Sequence, residues 1–151
     1  LGRDPAARLS CLVAGTNDLV KETRVASRDY LTPWLLQIVL AARAGNLTAL
    51  DGVWNAFRDT EAFARECARA RAMGFDGKTL IHPVQIAPAN AAFSPTSEEI
   101  AEAQAIVAAF AKPENRFAGV ISVEGRMVER LHLEHAEALL KKAREIKEKG
   151  E

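Results

Sequence analysis

Short apolar runs alternate with longer amphipathic stretches over the first ninety residues. Residues 9–14 (Leu-Ser-Cys-Leu-Val-Ala) form a run closed by Gly15, too short for a helix and of the length of a buried strand. Residues 31–44 place Leu35, Ile38, Val39 and Ala42 on one helical face. Thr32 suits the N-cap of that helix, Pro33 its first position and Gly45-Asn46 its stop. Residues 47–53 predict a second strand. A helix from Asp59 or Thr60 to about Met73 then turns Phe63, Cys67 and Ala70 inward, and Gly74 ends it. Residues 78–83 predict a third short strand, closed by Pro83. Strands alternating with helices of this length predict βαβ units and a parallel sheet.

From Ser94 the pattern changes. Thr96-Ser-Glu-Glu99 has the form of a capping box, and Ile100, Ala103, Val107 and Phe110 make an apolar stripe behind it. Residues 112–116 are a polar break, 117–123 a short β segment and Gly125 a turn. Residues 131–147 predict a last helix, with Leu133, Ala136, Leu140, Ala143 and Ile146 at helical spacing.

Composition narrows the function classes. The 151 residues suffice for one domain with a real core. At 48% hydrophobic and 26% charged, the chain is not of the disordered class. Twenty basic residues balance twenty acidic ones, so no electrostatic reason exists to expect nucleic acid or a membrane surface as partner. No apolar run approaches the roughly 20 residues that span a bilayer, and no signal-peptide pattern is read at the start. Cys11 and Cys67 form neither a disulfide framework nor a paired zinc motif, which predicts a reducing compartment, the cytoplasm. The chain opens on Leu1 rather than Met and reads as if it begins inside a fold, so a fragment is expected. Motifs of phosphate-binding loops, serine hydrolases and zinc hydrolases are absent.

In parallel α/β proteins ligands bind beyond the C-terminal ends of the strands. Asp18 is the first candidate there, since a strand-end carboxylate can ligate Mg²⁺; the alternative is that Asn17 or Asp18 caps the following helix. Asp51 lies in an apolar strand and, if buried, must be paired. It either orients a catalytic group or sits at the strand's exposed end. Arg58 and Asp59 read as loop and cap. His82 has the form of an acid–base residue or of a structural histidine bonded to its own loop. His132 and His135 could be half of a metal site, with no third ligand in view. Both cysteines read as small core residues.

Taken together, Gly15-Thr-Asn-Asp-Leu19, Ala49-Leu-Asp-Gly-Val53 and Gly74-Phe-Asp-Gly-Lys-Thr-Leu-Ile-His-Pro83-Val-Gln85 resemble the citrate lyase β-subunit-like family, which includes malyl-CoA and citramalyl-CoA lyases. Asn90, Phe93-Ser-Pro95 and Gly125-Arg-Met-Val128 continue the match. The resemblance implies an α/β fold: the C-terminal part of a (β/α)₈ TIM barrel, about strands 6–8, plus a helical extension. Residues 1–93 would be the partial barrel. Residues 94–151 would be the extension, packing at a subunit interface of a homo-oligomer. It implies Mg²⁺ as cofactor, and CoA-ester and oxo-acid substrates. Asp18 matches the family's metal ligand, and His82, Pro83 and Gln85 lie near its CoA site. The family's substrate-holding arginine and metal-holding glutamate come from earlier strands and have no match here. Its C-terminal acid–base aspartate is matched by Glu129, one methylene longer, and a following proline by Leu131. The implied activity is making or cleaving a carbon–carbon bond in a short 3-hydroxyacyl-CoA. Two alternatives stand beside it: a non-catalytic remnant or partner subunit that contributes part of a barrel or an assembly surface, and a metal-dependent aldolase acting on free oxo acids.

Overall fold

Of the chain, the computed structural model describes residues 5–150. The chain divides into two units, Leu1–Phe93 and Ser94–Glu151. In the first, β1 (Cys11–Val13), β2 (Thr48–Asp51) and β3 (Gly77–Lys78) form a parallel sheet in that order. Leu12 stands opposite Ala49, and Leu50 opposite Gly77. The strands are connected through α1 (Thr16–Thr23) and α2 (Thr32–Ala44), then through α3 (Thr60–Ala72); α4 (Ile86–Phe93) closes the unit.

The third strand is shorter than its apolar run predicts. Thr79 makes the last rung, its amide donating to Asp51 O at 2.9 Å. The Ile81 amide then donates to the Gln85 side-chain oxygen at 3.0 Å. Pro83, which has no amide hydrogen, begins a 3₁₀ turn, Pro83–Gln85. A side chain has replaced the neighbouring strand as acceptor. The start of α2 also differs from expectation. Leu31 occupies the N-cap and Thr32 is already helical. Its hydroxyl donates to Asp29 O at 2.9 Å and accepts from Arg69 Nη2 at 2.8 Å. Asp59 caps α3, accepting from the Ala62 amide at 2.9 Å.

The core of this unit is where helical and strand periodicity meet. Leu31, Leu35 and Ala42 pack with Ala49, Phe63, Cys67, Ala70 and Phe75. Each large apolar side chain sealed there contributes about 1.5–3 kcal/mol. Gly74, at φ +96°, makes the left-handed turn that ends α3. Gly52 is required for another reason: a Cβ there would stand 2.3 Å from Thr16 Oγ1 and 2.4 Å from Ala14 O. The ends of β1 and β2 approach too closely for any side chain at that position.

In the second unit α5 (Ser97–Ala111) begins with a complete capping box. Thr96 Oγ1 accepts from the Glu99 amide at 3.2 Å and Glu99 Oε2 from the Thr96 amide at 2.8 Å. The segment around Gly125 is a hairpin of β4 (Val120–Val123) and β5 (Arg126–Glu129), with Val123 opposite Arg126. Glu124 and Gly125 both have positive φ, as a tight two-residue hairpin turn needs. The strand β5 has no forerunner in the sequence reading. The last helix, α6 (Arg130–Gly150), follows at once. Phe110, Ile121 and Val128 are the centre of this core, with Ile106 and Leu133 against them. Among the described residues, no helix is long and apolar enough to cross a membrane.

Candidate functional site

The C-terminal ends of β1 and β2 carry two carboxylates with opposite surroundings. Asp18 lies in the first turn of α1 and is exposed. Neither it nor Asn17 caps the helix: Gly15 holds the N-cap and no side chain bonds there. Asn17 instead pairs with Asn55, whose Nδ2 donates to Asn17 Oδ1 at 2.9 Å. Asp18 Oδ2 folds back over Gly15, 3.3 Å from where a Cβ would stand. The carboxylate thus sits at the N-terminal, positive end of the α1 dipole. Among the described residues, no group of three or more His, Cys, Asp or Glu is placed to hold a metal ion. Asp18 supplies a carboxylate, a hard oxygen donor. That suits Mg²⁺, which keeps several waters and takes one or two carboxylates beside its substrate.

Asp51, the last residue of β2, is fully buried. Arg28 Nη2 reaches both of its oxygens, at 2.6 and 2.7 Å, and Lys78 Nζ reaches Oδ2 at 2.5 Å. Arg28 Nε donates to Glu66 Oε1 at 2.5 Å. Two cations and two carboxylates are thus joined beneath the strand ends, tying the segment after α1 to β2, β3 and α3. Burial opposes the Arg28 charge, but Asp51 and then Glu66 outweigh it and hold its pKa above the ordinary value. Burial pulls the Lys78 pKa down, against the attraction of Asp51. Beside them the Cys67 thiol is pushed up to about 11, chiefly by burial. Asp51 was legible in the sequence as a carboxylate needing a partner. Glu66 was missed, although it follows Phe63 and precedes Cys67 and Ala70 on one inward face. Arg28 gave no sequence signal.

His82, Pro83 and Gln85 follow β3 on one short turn. His82 is exposed; its Nδ1 accepts from the Val84 amide at 3.2 Å, and its ring stacks on Phe57 with centroids 4.4 Å apart. Gln85 is buried, with Nε2 donating to Trp54 O at 2.9 Å and Oε1 holding the Ile81 amide. Its side chain braces the loop after β2 against the loop after β3. In the second unit, Glu129 ends β5 half-buried, and its amide donates to His132 Nδ1 at 3.0 Å. His132 is thereby engaged at the start of α6.

A family model described as a C–C bond lyase of the TIM-barrel fold matches residues 11–146. The chain belongs to this family of carbon–carbon bond lyases. A (3S)-malyl-CoA thioesterase of Cereibacter sphaeroides (strain KD131 / KCTC 12085) is 49% identical to this lyase-family chain over 142 residues, 92% of the chain and 50% of that protein. The chain thus spans about half the length of that relative. Among solved structures, protein CitE from Mycobacterium tuberculosis, in complex with magnesium, acetoacetate and coenzyme A, is 31% identical with a TM-score of 0.68. The match covers 87% of the chain and 51% of CitE. A citrate lyase from Burkholderia xenovorans LB400 gives a TM-score of 0.76 at 25% identity, over 96% of the chain and 48% of that protein.

Proposed function

We propose that the chain is the C-terminal part of a (β/α)₈ barrel, about strands 6–8 with a helical extension, and serves a Mg²⁺-dependent CoA-ester lyase. The substrate is a short 3-hydroxyacyl-CoA such as malyl- or citramalyl-CoA. The observation that carries this reading is Asp18: an exposed carboxylate in the turn after a parallel strand, in a chain similar to a protein solved with magnesium, an oxo acid and CoA. Bound Mg²⁺ would polarise the oxygen of the oxo-acid part and stabilise developing negative charge. Asp18 would hold the ion. The turn Pro83–Gln85, with His82 before it, would meet the CoA through its backbone, since the Gln85 side chain already braces two loops. Glu129 would move a proton at C2 of the acyl group, acting across a subunit interface of a cytoplasmic homo-oligomer. In malyl-CoA cleavage the C2–C3 bond breaks and the hydroxyl proton leaves as the oxo acid's C=O forms. The C2 carbon takes a proton as the enolate closes to acetyl-CoA.

A second reading is thioester hydrolysis, favoured by the 49% identity to a malyl-CoA thioesterase. The products separate the two. Cleavage by the complete barrel yields acetyl-CoA and glyoxylate, whereas hydrolysis yields free CoA and malate. The expected result is acetyl-CoA, dependent on Mg²⁺ and reduced at least 100-fold in Asp18→Asn. Unchanged Mg²⁺ affinity and rate in that variant would overturn the role of Asp18.

A further inference from the structure

The junction between β5 and α6 carries Glu129 and is held from two sides. Arg130, the first residue of α6, donates its amide to Gly119 O at 3.2 Å. Its guanidinium donates through Nε to Ala118 O at 3.0 Å and through Nη2 to Arg116 O. Successive amides of a strand point in opposite directions, so the amide of Glu129 points away from β4. Among the described residues β5 pairs with β4 alone, so no strand meets that amide. The acceptor there is His132 Nδ1, at 3.0 Å. The same bond starts α5, where Glu99 Oε2 accepts from the amide of Thr96 three residues before it. In α6 an imidazole stands where α5 has a carboxylate, and the two differ in chemistry. An imidazole protonated on both nitrogens has two donors and no acceptor, and it reaches that state in the mildly acidic range. An N–H cannot bond another N–H, so the hold on Glu129 opens when the ring gains its second proton. Charged groups surround the ring. Glu98 and Glu102 of α5 and Glu124 and Arg126 of the hairpin share one cavity wall with His132, and Glu99 and His135 share a second. Arg126 is paired with Glu102 at 2.8 Å. A protonated ring thus has carboxylates to turn toward.

We propose that His132 is a pH-sensitive positioning residue for Glu129. With Nδ1 unprotonated, it holds the Glu129 backbone and so fixes the direction in which that side chain leaves the strand. With Nδ1 protonated, it lets the residue go. The inference rests on the reading of Glu129 as the group that moves a proton on the substrate.

The full chain, isotope-labelled, is titrated from about pH 8 to about pH 5 while the Glu129 amide and the His132 ring are followed by NMR. The expected result is an amide proton that moves upfield in step with the ring signal. His132→Ala should show the released amide already at the alkaline end. His132→Gln, whose amide oxygen accepts throughout this range, should hold the parental alkaline position. An amide that ignores the ring's titration, or that His132→Ala leaves in place, overturns the proposal. Helix capping alone would give these shifts too, so the rate supplies a second arm. In the complete barrel His132→Ala should lower kcat about tenfold with KM unchanged. His132→Gln should restore kcat and remove the loss of rate on the acid side of the profile. A parental kcat in His132→Ala, or an acid-side loss unchanged in His132→Gln, leaves His132 a helix cap and overturns its positioning role. Glu129→Gln separates the two failures. If it too keeps the parental rate, the reading of Glu129 has failed; if it is slow while His132→Ala is not, the failure belongs to His132.

Discussion

Two aspartates stand at the C-terminal ends of neighbouring strands of one sheet, Asp51 as the last residue of β2 and Asp18 past the end of β1. Asp51 is sealed and meets Arg28 and Lys78 with both oxygens. Asp18 is open to solvent at the start of α1. The same functional group is committed to the fold in one place and available to a ligand in the other. What separates them is desolvation. A carboxylate removed from water must have its lone pairs filled by the protein, and a carboxylate so filled has nothing left to offer a metal. A hydrated one can exchange water for a cation at little cost.

The contrast is broken most forcefully at Asp51. Asp51→Ala leaves Arg28 and Lys78 facing each other in a dry interior and should lower stability by about 3–5 kcal/mol in a urea titration. Replacing Lys78 as well, by Met, should recover part of that loss, because one uncompensated cation is removed with its partner. A double variant no better than Asp51→Ala would mean that the two charges are not coupled. The next effect is a pH dependence. The Cys67 pKa is raised from 9.0 to about 11 in the folded protein. Between those values the unfolded chain loses the thiol proton while the folded one keeps it, so stability falls as pH rises. The loss is about 2–3 kcal/mol across the window. Cys67→Ala should flatten that part of the stability–pH curve; an unchanged slope would assign the alkaline loss to another group.

The two aspartates were also unequally legible. Periodicity placed α2, α3 and α5 and their inward residues, because a one-sided core imposes a 3.6-residue repeat that survives in any context. It overstated β3, since an apolar run says nothing of which acceptor its amides will find, and Gln85 took the place of a strand. It missed β5, whose Arg126-Met-Val-Glu129 shows too few alternations to register. The need of Asp51 for a partner was readable from one residue. The identity of that partner was not, because Arg28 is brought to it by tertiary folding from 23 positions away.

Glu99 is an intermediate case, a carboxylate whose oxygen serves a backbone amide at a helix start. Glu99→Ala should cost about 1 kcal/mol, and Glu99→Gln clearly less, since an amide oxygen can still accept from Thr96. Equal losses in the two variants would show that charge at the helix N-terminus, rather than the capping bond, is what Glu99 supplies.

The smallest expected effect on stability is at Asp18. Among the described residues its exposed carboxylate bonds no other part of the fold, so Asp18→Asn should lower stability by about 0.5 kcal/mol, the worth of a negative charge in the first turn of a helix. Its effect on Mg²⁺ should be large, since a neutral amide oxygen is a poor substitute for a carboxylate around a small hard cation. Calorimetric titration of Mg²⁺ into the parent and the variant, with the unfolding midpoint measured on both, checks the two halves together. A variant that loses several kcal/mol would place Asp18 with Asp51 as part of the framework. One that keeps both its stability and its Mg²⁺ affinity would leave the open carboxylate without the role that its exposure allows.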